Sequence, residues 1–325
     1  MAKTRGKNPS SSLLRVRELY AFDEQIRSSV ASGLVPDVEG LVPNGRRPSS
    51  KDSTAEDAKN AEGFCNGKIS LSDLGDLCGE EKRRLSLAGF DEAGRGALAG
   101  PVAVGCVHFD LPLQQPSYTR YDATKGIPVA SGLVPDVVFP KHLLEHLAGV
   151  DDSKRLSPAR REEMYHRITE VASWGIGWAS AQEIDRLGIV PAVSLAARRA
   201  YITMGERVDL LLCDRGLSLL SDSAIERLNH LQPRTPNHPI SQSSDHSIIQ
   251  PLEISFTKGD SRSLHIAAAS ILAKVSRDRM MLNLHQRFPV YAFAANKGYG
   301  TPAHLAALRD NGPSAIHRRS FRVKE

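Results

Sequence analysis

Long apolar runs are missing from this chain: nothing comes near the roughly 18 consecutive apolar residues of a membrane-spanning helix. The basic start, Met1-Ala-Lys-Thr-Arg-Gly-Lys7, has no apolar core of the kind a secretory signal needs. Glu18, Asp23 and Glu24 arrive too early for an organellar transit peptide. The expectation is a cytoplasmic protein with no membrane association. Cysteine is equally scarce. Cys65, Cys78, Cys106 and Cys213 show no Cys-x-x-Cys spacing, which argues against structural zinc and for a reducing compartment. Cys106 and Cys213 sit inside apolar runs, where a free thiol acts as a small hydrophobe. Aromatic residues make up only 6% of the chain, and neither sign of charge dominates: the net charge is +5. The pI of about 9.0 is compatible with a polyanionic partner without establishing one.

What is present is enough apolar material, 41% of 325 residues, for a sizeable core. Residues 1–84 read differently from the rest, rich in Ser, Asn, Gly, Pro and charge, as in Asn44-Gly-Arg-Arg-Pro-Ser-Ser-Lys-Asp-Ser53. Such a composition buries too little to offset chain entropy, so a largely disordered extension is expected, with a short helix near residues 13–30. Ala31-Ser-Gly-Leu-Val-Pro-Asp-Val38 recurs unchanged as Ala130-Ser-Gly-Leu-Val-Pro-Asp-Val137. One eight-residue repeat is too short for a solenoid, and a linear motif and a duplication scar explain it equally well.

From residue 85 the patterns sharpen. Residues 85–90 and 102–109 read as strands joined by a glycine-rich turn. Residues 111–148 read as a loop-like insertion. Ser157-Pro158 opens a helix, serine as N-cap and proline at the first helical position, with Met164, Ile168 and Val171 as its apolar face. A short strand at 175–179 precedes helices at 181–187 and 192–204. Residues 207–213 form a buried-strand run ending on Asp214, followed by a helix at 221–229 and a second insertion at 231–250. A strand at 252–257 leads to Lys258-Gly-Asp260, and a long helix spans 263–288, its early face made of small residues that predict close packing. The whole reads as an α/β layer built on a mixed sheet.

Three predicted strands end in acids: Asp91 with Glu92, Asp214, and Asp260. Sites of open sheets gather at strand ends. Converging there, the acids would repel one another unless cations neutralised them, and two-metal phosphoryl transfer uses such clusters. Taken singly, Asp214 or Asp260 is as well explained as a strand-end or capping residue. The turn Gly94-Arg95-Gly96 suits a phosphate or sugar, because glycine lets the backbone approach and a guanidinium reads an anion.

Other residues fit a nucleic-acid face. Asp152-Ser153-Lys154-Arg155 precedes a helix N-terminus, where hydroxyl, amide and cation can meet a phosphate; helix capping explains it nearly as well. Tyr299, between glycines in Asn296-Lys-Gly-Tyr-Gly-Thr301, can stack on a sugar or base. Lys274 and Arg277, one helical turn apart, read equally well as a solvated basic face. His304, His317, Arg318 and Arg319 show no metal-ligand spacing.

Several of these segments, in this order, resemble the type II ribonucleases H, ribonuclease HII. They are Gly89-Phe-Asp-Glu-Ala-Gly-Arg-Gly-Ala-Leu-Ala-Gly-Pro-Val102, Asp152-Ser-Lys-Arg-Leu156, Lys258-Gly-Asp-Ser-Arg-Ser-Leu-His-Ile-Ala-Ala-Ala-Ser-Ile-Leu-Ala-Lys274, Lys297-Gly-Tyr-Gly-Thr301 and His317-Arg-Arg-Ser-Phe321. The resemblance implies a ribonuclease H-like α/β fold, with helices flanking a mixed sheet and a C-terminal helical region, over a catalytic domain at 85–325. It implies cleavage of RNA in RNA–DNA hybrids and incision at ribonucleotides embedded in duplex DNA, by a monomer using Mg²⁺ or Mn²⁺, leaving 3′-hydroxyl and 5′-phosphate ends. Asp91, Glu92, Asp214 and Asp260 correspond to the metal-binding acids. Gly94, Arg95 and Gly96 would contact the ribonucleotide, with Ser153 and Lys154 as further substrate contacts, and Tyr299 would stack on the adjoining deoxyribose. Ala97 stands where proline is usual, and Arg215 follows Asp214 where glycine is common. A binding protein that keeps the fold without the chemistry is the other reading.

Overall fold

The computed structural model describes residues 9–31, 41–43, 85–110, 121–122, 127–128, 140–214, 216–219 and 251–321. In chain order these form α1 (Pro9–Ala31), β1 (Leu41–Pro43), β2 (Leu87–Ala93), β3 (Val102–His108), β4 (Tyr121–Asp122) and β5 (Ile127–Pro128). There follow α2 (Lys141–His146), α3 (Pro158–Val171), β6 (Ser173–Ala179), α4 (Ala181–Leu187) and α5 (Ile189–Met204). The last elements are β7 (Leu210–Asp214), β8 (Leu252–Phe256), α6 (Leu264–Arg287), α7 (Phe293–Asn296) and α8 (Pro302–Asn311).

Six strands make a mixed sheet in the order β1-β8-β7-β2-β3-β6. β2 runs parallel to β7, and β7 parallel to β8, whereas β2–β3, β3–β6 and β1–β8 are antiparallel. The mixed sheet expected from the strand pattern is therefore present. β4 and β5 pair separately.

Side chains alternate across β2, so its two faces feed different cores. Ala88 and Phe90 join the cluster under α5, with Ala192, Ala196, Ala197 and Ala200. Leu87 turns to the other face, where Ile266 of α6 packs with Leu210 and Phe256. Two glycines let α6 lie flush on this second face. A Cβ at Gly89 would fall 2.3 Å from the His265 backbone carbon, and one at Gly105 would fall 2.4 Å from the Ala269 carbonyl oxygen. The small residues of the early α6 face do pack closely on the sheet, as their size predicts.

Two expectations about the stretches outside the main sheet need correction. The helix expected near residues 13–30 is present but longer, so this part of the extension is no disordered tail: α1 runs 23 residues from Pro9 to Ala31 and packs on the domain. Val16, Leu19, Tyr20, Ile26 and Val30 are buried against it. Full burial of one such side chain is worth about 1.5–3 kcal/mol, which is what the polar composition of the segment conceals. β1 then adds an edge strand to β8. The rest of 1–84 lies outside the described residues. Similarly, the stretch read as a loop-like insertion at 111–148 contains α2, whose Leu143 and Leu144, with Leu147, are buried in the cluster that holds Met164 and Ile168. The helix expected at 221–229, the insertion at 231–250 and the second copy of the repeat also lie outside the described residues.

Candidate active site

Sheet register gathers the acids. β2 and β7 run parallel with Phe90 beside Cys213. β2 continues past the expected strand end at residue 90, so Asp91, inside β2 and paired with Gly105 of β3, lies level with Asp214 at the end of β7. Asp214 in turn pairs with Phe256 at the end of β8, and the chain then turns through the single 3-10 turn Gly259–Ser261 that carries Asp260. Asp91, Glu92, Asp214 and Asp260 are thus brought to one edge from three parallel strands.

Each acid has a different local partner. Asp91 is buried, accepts the Glu92 N–H at 2.8 Å and is hydrogen-bonded by the Ser270 hydroxyl from α6. Asp214 accepts the Gly259 N–H at 2.9 Å. Asp260 is buried and receives the Lys154 ammonium at 3.0 Å. Glu92 takes Arg95 Nη1 at 3.3 Å on Oε1, while its Oε2 is buried with no hydrogen-bond partner. Burial pushes the Asp91 carboxyl well above the ordinary carboxylate range, and the charges of Glu92, Asp214 and Asp260 push it further, against the Ser270 bond. Burial also raises Glu92, with Asp214 adding to the rise and Arg95 opposing it. On Lys154 burial acts downward, but the bond and charge of Asp260, with Asp91 and Asp152, carry the net shift upward. The four acids therefore share one electrostatic field.

Among the described residues, no three carboxylates, imidazoles or thiols are drawn together as a ready coordination cage. Individual partners, namely Ser270, Arg95, the Gly259 amide and Lys154, hold the carboxylates in place. The donor set still suits a hard divalent cation: every donor is a carboxylate oxygen, and Glu92 Oε2 is a buried acceptor in want of a partner.

The substrate-side residues divide. Ser153 and Lys154 fall in the turn Ser153–Arg155, where Asp152 caps the Lys154 amide. Lys154 reaches the acids, but the Ser153 hydroxyl is turned inward to Ser270 Oγ at 2.7 Å. Ser153 therefore buttresses the serine that holds Asp91, a role different from the phosphate contact its position suggests. Arg95 likewise folds back, onto Glu92 and the Gly216 carbonyl at 3.3 Å. Gly96 is exposed, and a Cβ there would meet nothing. Ala97 donates its N–H to the Gly94 carbonyl at 3.3 Å, a bond the usual proline could not make. Arg215 lies outside the described residues.

Tyr299 is 38% exposed beside the glycine turn, with the guanidinium of Arg277 5.4 Å from its ring centroid. The reading of Arg277 as part of a solvated face is wrong. Arg277 is fully buried and donates to the carbonyls of Ala99, Pro101 and Lys297, tying the segment that follows the glycine turn to the Tyr299 loop. Gly94 is required here twice over: its φ is +91°, and a Cβ would fall 1.8 Å from Arg277 Nε. Arg318, also buried, donates to the carbonyls of Arg95 and Gly100. Burial and the charge of Arg277 lower its pKa to about 9.

His304 and His317 form a buried relay behind the same loop. The Ser314 N–H and hydroxyl donate to His317 Nδ1, which leaves the proton on His317 Nε2 to donate to His304 Nε2 at 3.0 Å. His304 Nδ1–H then donates to the Tyr299 carbonyl at 2.9 Å. Neither arginine nor either histidine was assigned a role from spacing. Only His304, in the helix that follows the Gly298 turn, lies near either glycine turn in sequence, so spacing carried no signal for the other three.

The comparisons with known proteins place the sequence in one family. The sequence model described as Ribonuclease HII matches residues 129–324, which takes in Asp214, Asp260 and Tyr299. Ribonuclease HII of Syntrophotalea carbinolica is 38% identical over 237 residues, covering 73% of this chain and 85% of that protein. The chain belongs to the ribonuclease HII family. Membership makes it a hydrolase of the ribonuclease H class. Ribonuclease HII of Geotalea uraniireducens is similar at the same level, 38% over 241 residues, 74% of this chain and 84% of the relative. A solved structure of RNase HII from Archaeoglobus fulgidus, in complex with PCNA, aligns with 74% of this chain and 97% of its own at 20% identity and a TM-score of 0.48. The ribonuclease HII assignment rests on the sequence relatives.

Proposed function

We propose that this chain is an endonuclease that cleaves the RNA strand of RNA–DNA hybrids and incises duplex DNA at embedded ribonucleotides. The observation that carries the reading is the convergence of Asp91, Glu92, Asp214 and Asp260 at one sheet edge, beside a glycine turn whose following segment is tied to the Tyr299 loop. Asp91, Glu92, Asp214 and Asp260 would hold Mg²⁺ or Mn²⁺. When bound, a pair of such ions activates a water and stabilises the leaving oxygen of a phosphodiester.

The remaining steps belong to the protein's own residues. Ser270 orients Asp91, Lys154 balances the charge of Asp260, and the Gly259 amide fixes Asp214. The exposed backbone at Gly96 admits a nucleic-acid strand, where a ribose 2′-hydroxyl distinguishes RNA from DNA. Tyr299 offers a ring face to the neighbouring deoxyribose, supporting a preference for an RNA–DNA junction. A duplex carrying one ribonucleotide tests this reading. Cleavage at that nucleotide, dependent on Mg²⁺ or Mn²⁺ and leaving 3′-hydroxyl and 5′-phosphate ends, is expected; incision at any phosphodiester regardless of sugar would refute it.

A further inference from the structure

We infer that α1 is an intramolecular brace that sets the Asp260 turn for cation binding, with Arg15 and Asp23 as its positioning residues. The inference rests on the metal-dependent reading above and assigns that site's preorganisation to the N-terminal extension.

The contacts of α1 follow the segment around Asp260 almost residue by residue. Phe22 meets Phe256, at the end of β8, edge-on with ring centroids 5.1 Å apart. Arg15 Nη2 donates to the Ser261 carbonyl at 2.6 Å. The Arg262 guanidinium lies 4.7 Å from the Phe22 ring centroid. Asp23 Oδ2 accepts the Leu264 N–H at 3.0 Å, the His265 N–H at 3.3 Å and His265 Nδ1 at 2.7 Å. Those two amides are the first of α6 and have no acceptor within the helix, so a fully buried carboxylate satisfies both and also complements the helix dipole. On its other side Arg15 Nε donates to Asp151 Oδ1 at 3.3 Å, which links α1 to the turn bearing Lys154, the partner of Asp260.

The turn needs such support. Lys258 enters it with φ at +57°, a left-handed conformation that costs a non-glycine residue energy. Asp260 is buried close enough to Asp91 for their charges to act on each other, and Lys154 is the cation that balances it. A helix that merely covered apolar surface would need Ile26 and Val30 but not Arg15 or Asp23.

Three variants of the full chain separate the two roles: Arg15→Ala and Asp23→Asn loosen the brace, and Leu19→Ala removes packing alone. Mn²⁺ affinity is measured by calorimetry, and amide hydrogen exchange at residues 259–265 is followed without metal. Loss of an outer-shell support costs a metal site about 10-fold in affinity, and that loss is expected for Arg15→Ala and Asp23→Asn, with faster exchange at 259–265. Leu19→Ala should lower the melting temperature and leave both readouts near wild type. Mn²⁺ affinity within about twofold of wild type in both brace variants would overturn the inference, since even a modest outer-shell effect exceeds that. If the wild-type chain binds no Mn²⁺, the proposed function fails, and exchange then decides: faster exchange confined to the brace variants supports the brace, and unchanged exchange refutes it.

Discussion

His304 and His317 are buried imidazoles whose favourable state is neutral: a proton on His304 Nε2 would face the His317 Nε2–H across 3.0 Å, and one on His317 Nδ1 would face the Ser314 N–H at 2.9 Å. Burial and the neighbouring His304 lower the His317 pKa from about 6.5 to about 4. A group whose pKa falls on folding stabilises the fold above its unfolded value and loses that contribution as pH falls toward its folded value. The melting temperature should therefore decline between pH 6.5 and about 4, and His317→Asn should flatten that part of the curve. A variant with an unchanged profile would remove the relay from the account. At this scale the acids were readable from the sequence because each ends an apolar strand run. Ser153 was misread because position before a helix does not reveal that its hydroxyl turns inward to Ser270.

Loops that carry the substrate side are tied together by two buried arginines, and the ties are carbonyls, not carboxylates. Arg277→Met would leave the carbonyls of Ala99, Pro101 and Lys297 without that donor. Each unsatisfied buried group costs about 1–3 kcal/mol, so a loss of roughly 3 kcal/mol or more in a urea titration is expected. A change under about 1 kcal/mol would mean the loops hold without it. Tyr299→Ala should leave fold stability nearly unchanged and raise KM for a junction substrate about 10-fold, the size of one lost stacking contact. Most elements from residue 85 onward were legible, since apolar periodicity and caps mark them; the Ser180 capping box, for example, starts α4 where the pattern does. α1 was underread for a physical reason. Its buried stripe passes through Asp23 and Arg27, so two polar residues interrupt the apolar spacing of Val16, Leu19, Tyr20, Ile26 and Val30. Arg277 was hidden in the same way: helical spacing does not show what a face meets.

Across the whole molecule, parallel pairing of β2, β7 and β8 concentrates acids at one sheet edge, where burial and mutual charge raise the pKa of Asp91 and Glu92. Asp91 and Glu92 are both raised, so their protonated forms stabilise the metal-free fold at low pH, a contribution lost as pH rises through their folded values. A divalent cation competes with those protons. The rise in melting temperature on adding Mg²⁺ should therefore grow as pH rises and shrink in Asp91→Asn; a rise independent of pH would separate the cation from these acids. Among the described residues no helix is long and apolar enough to cross a membrane. The central claim is that the gathered acids act as one metal-dependent site on a ribonucleotide. Its most direct test is an incision assay on duplex DNA with a single ribonucleotide, comparing wild type and Asp91→Asn with and without Mg²⁺ or Mn²⁺. Wild-type incision only with metal, abolished in Asp91→Asn while the duplex still binds, is the predicted result. Undiminished turnover by Asp91→Asn, or incision by wild type without any divalent cation, would contradict it.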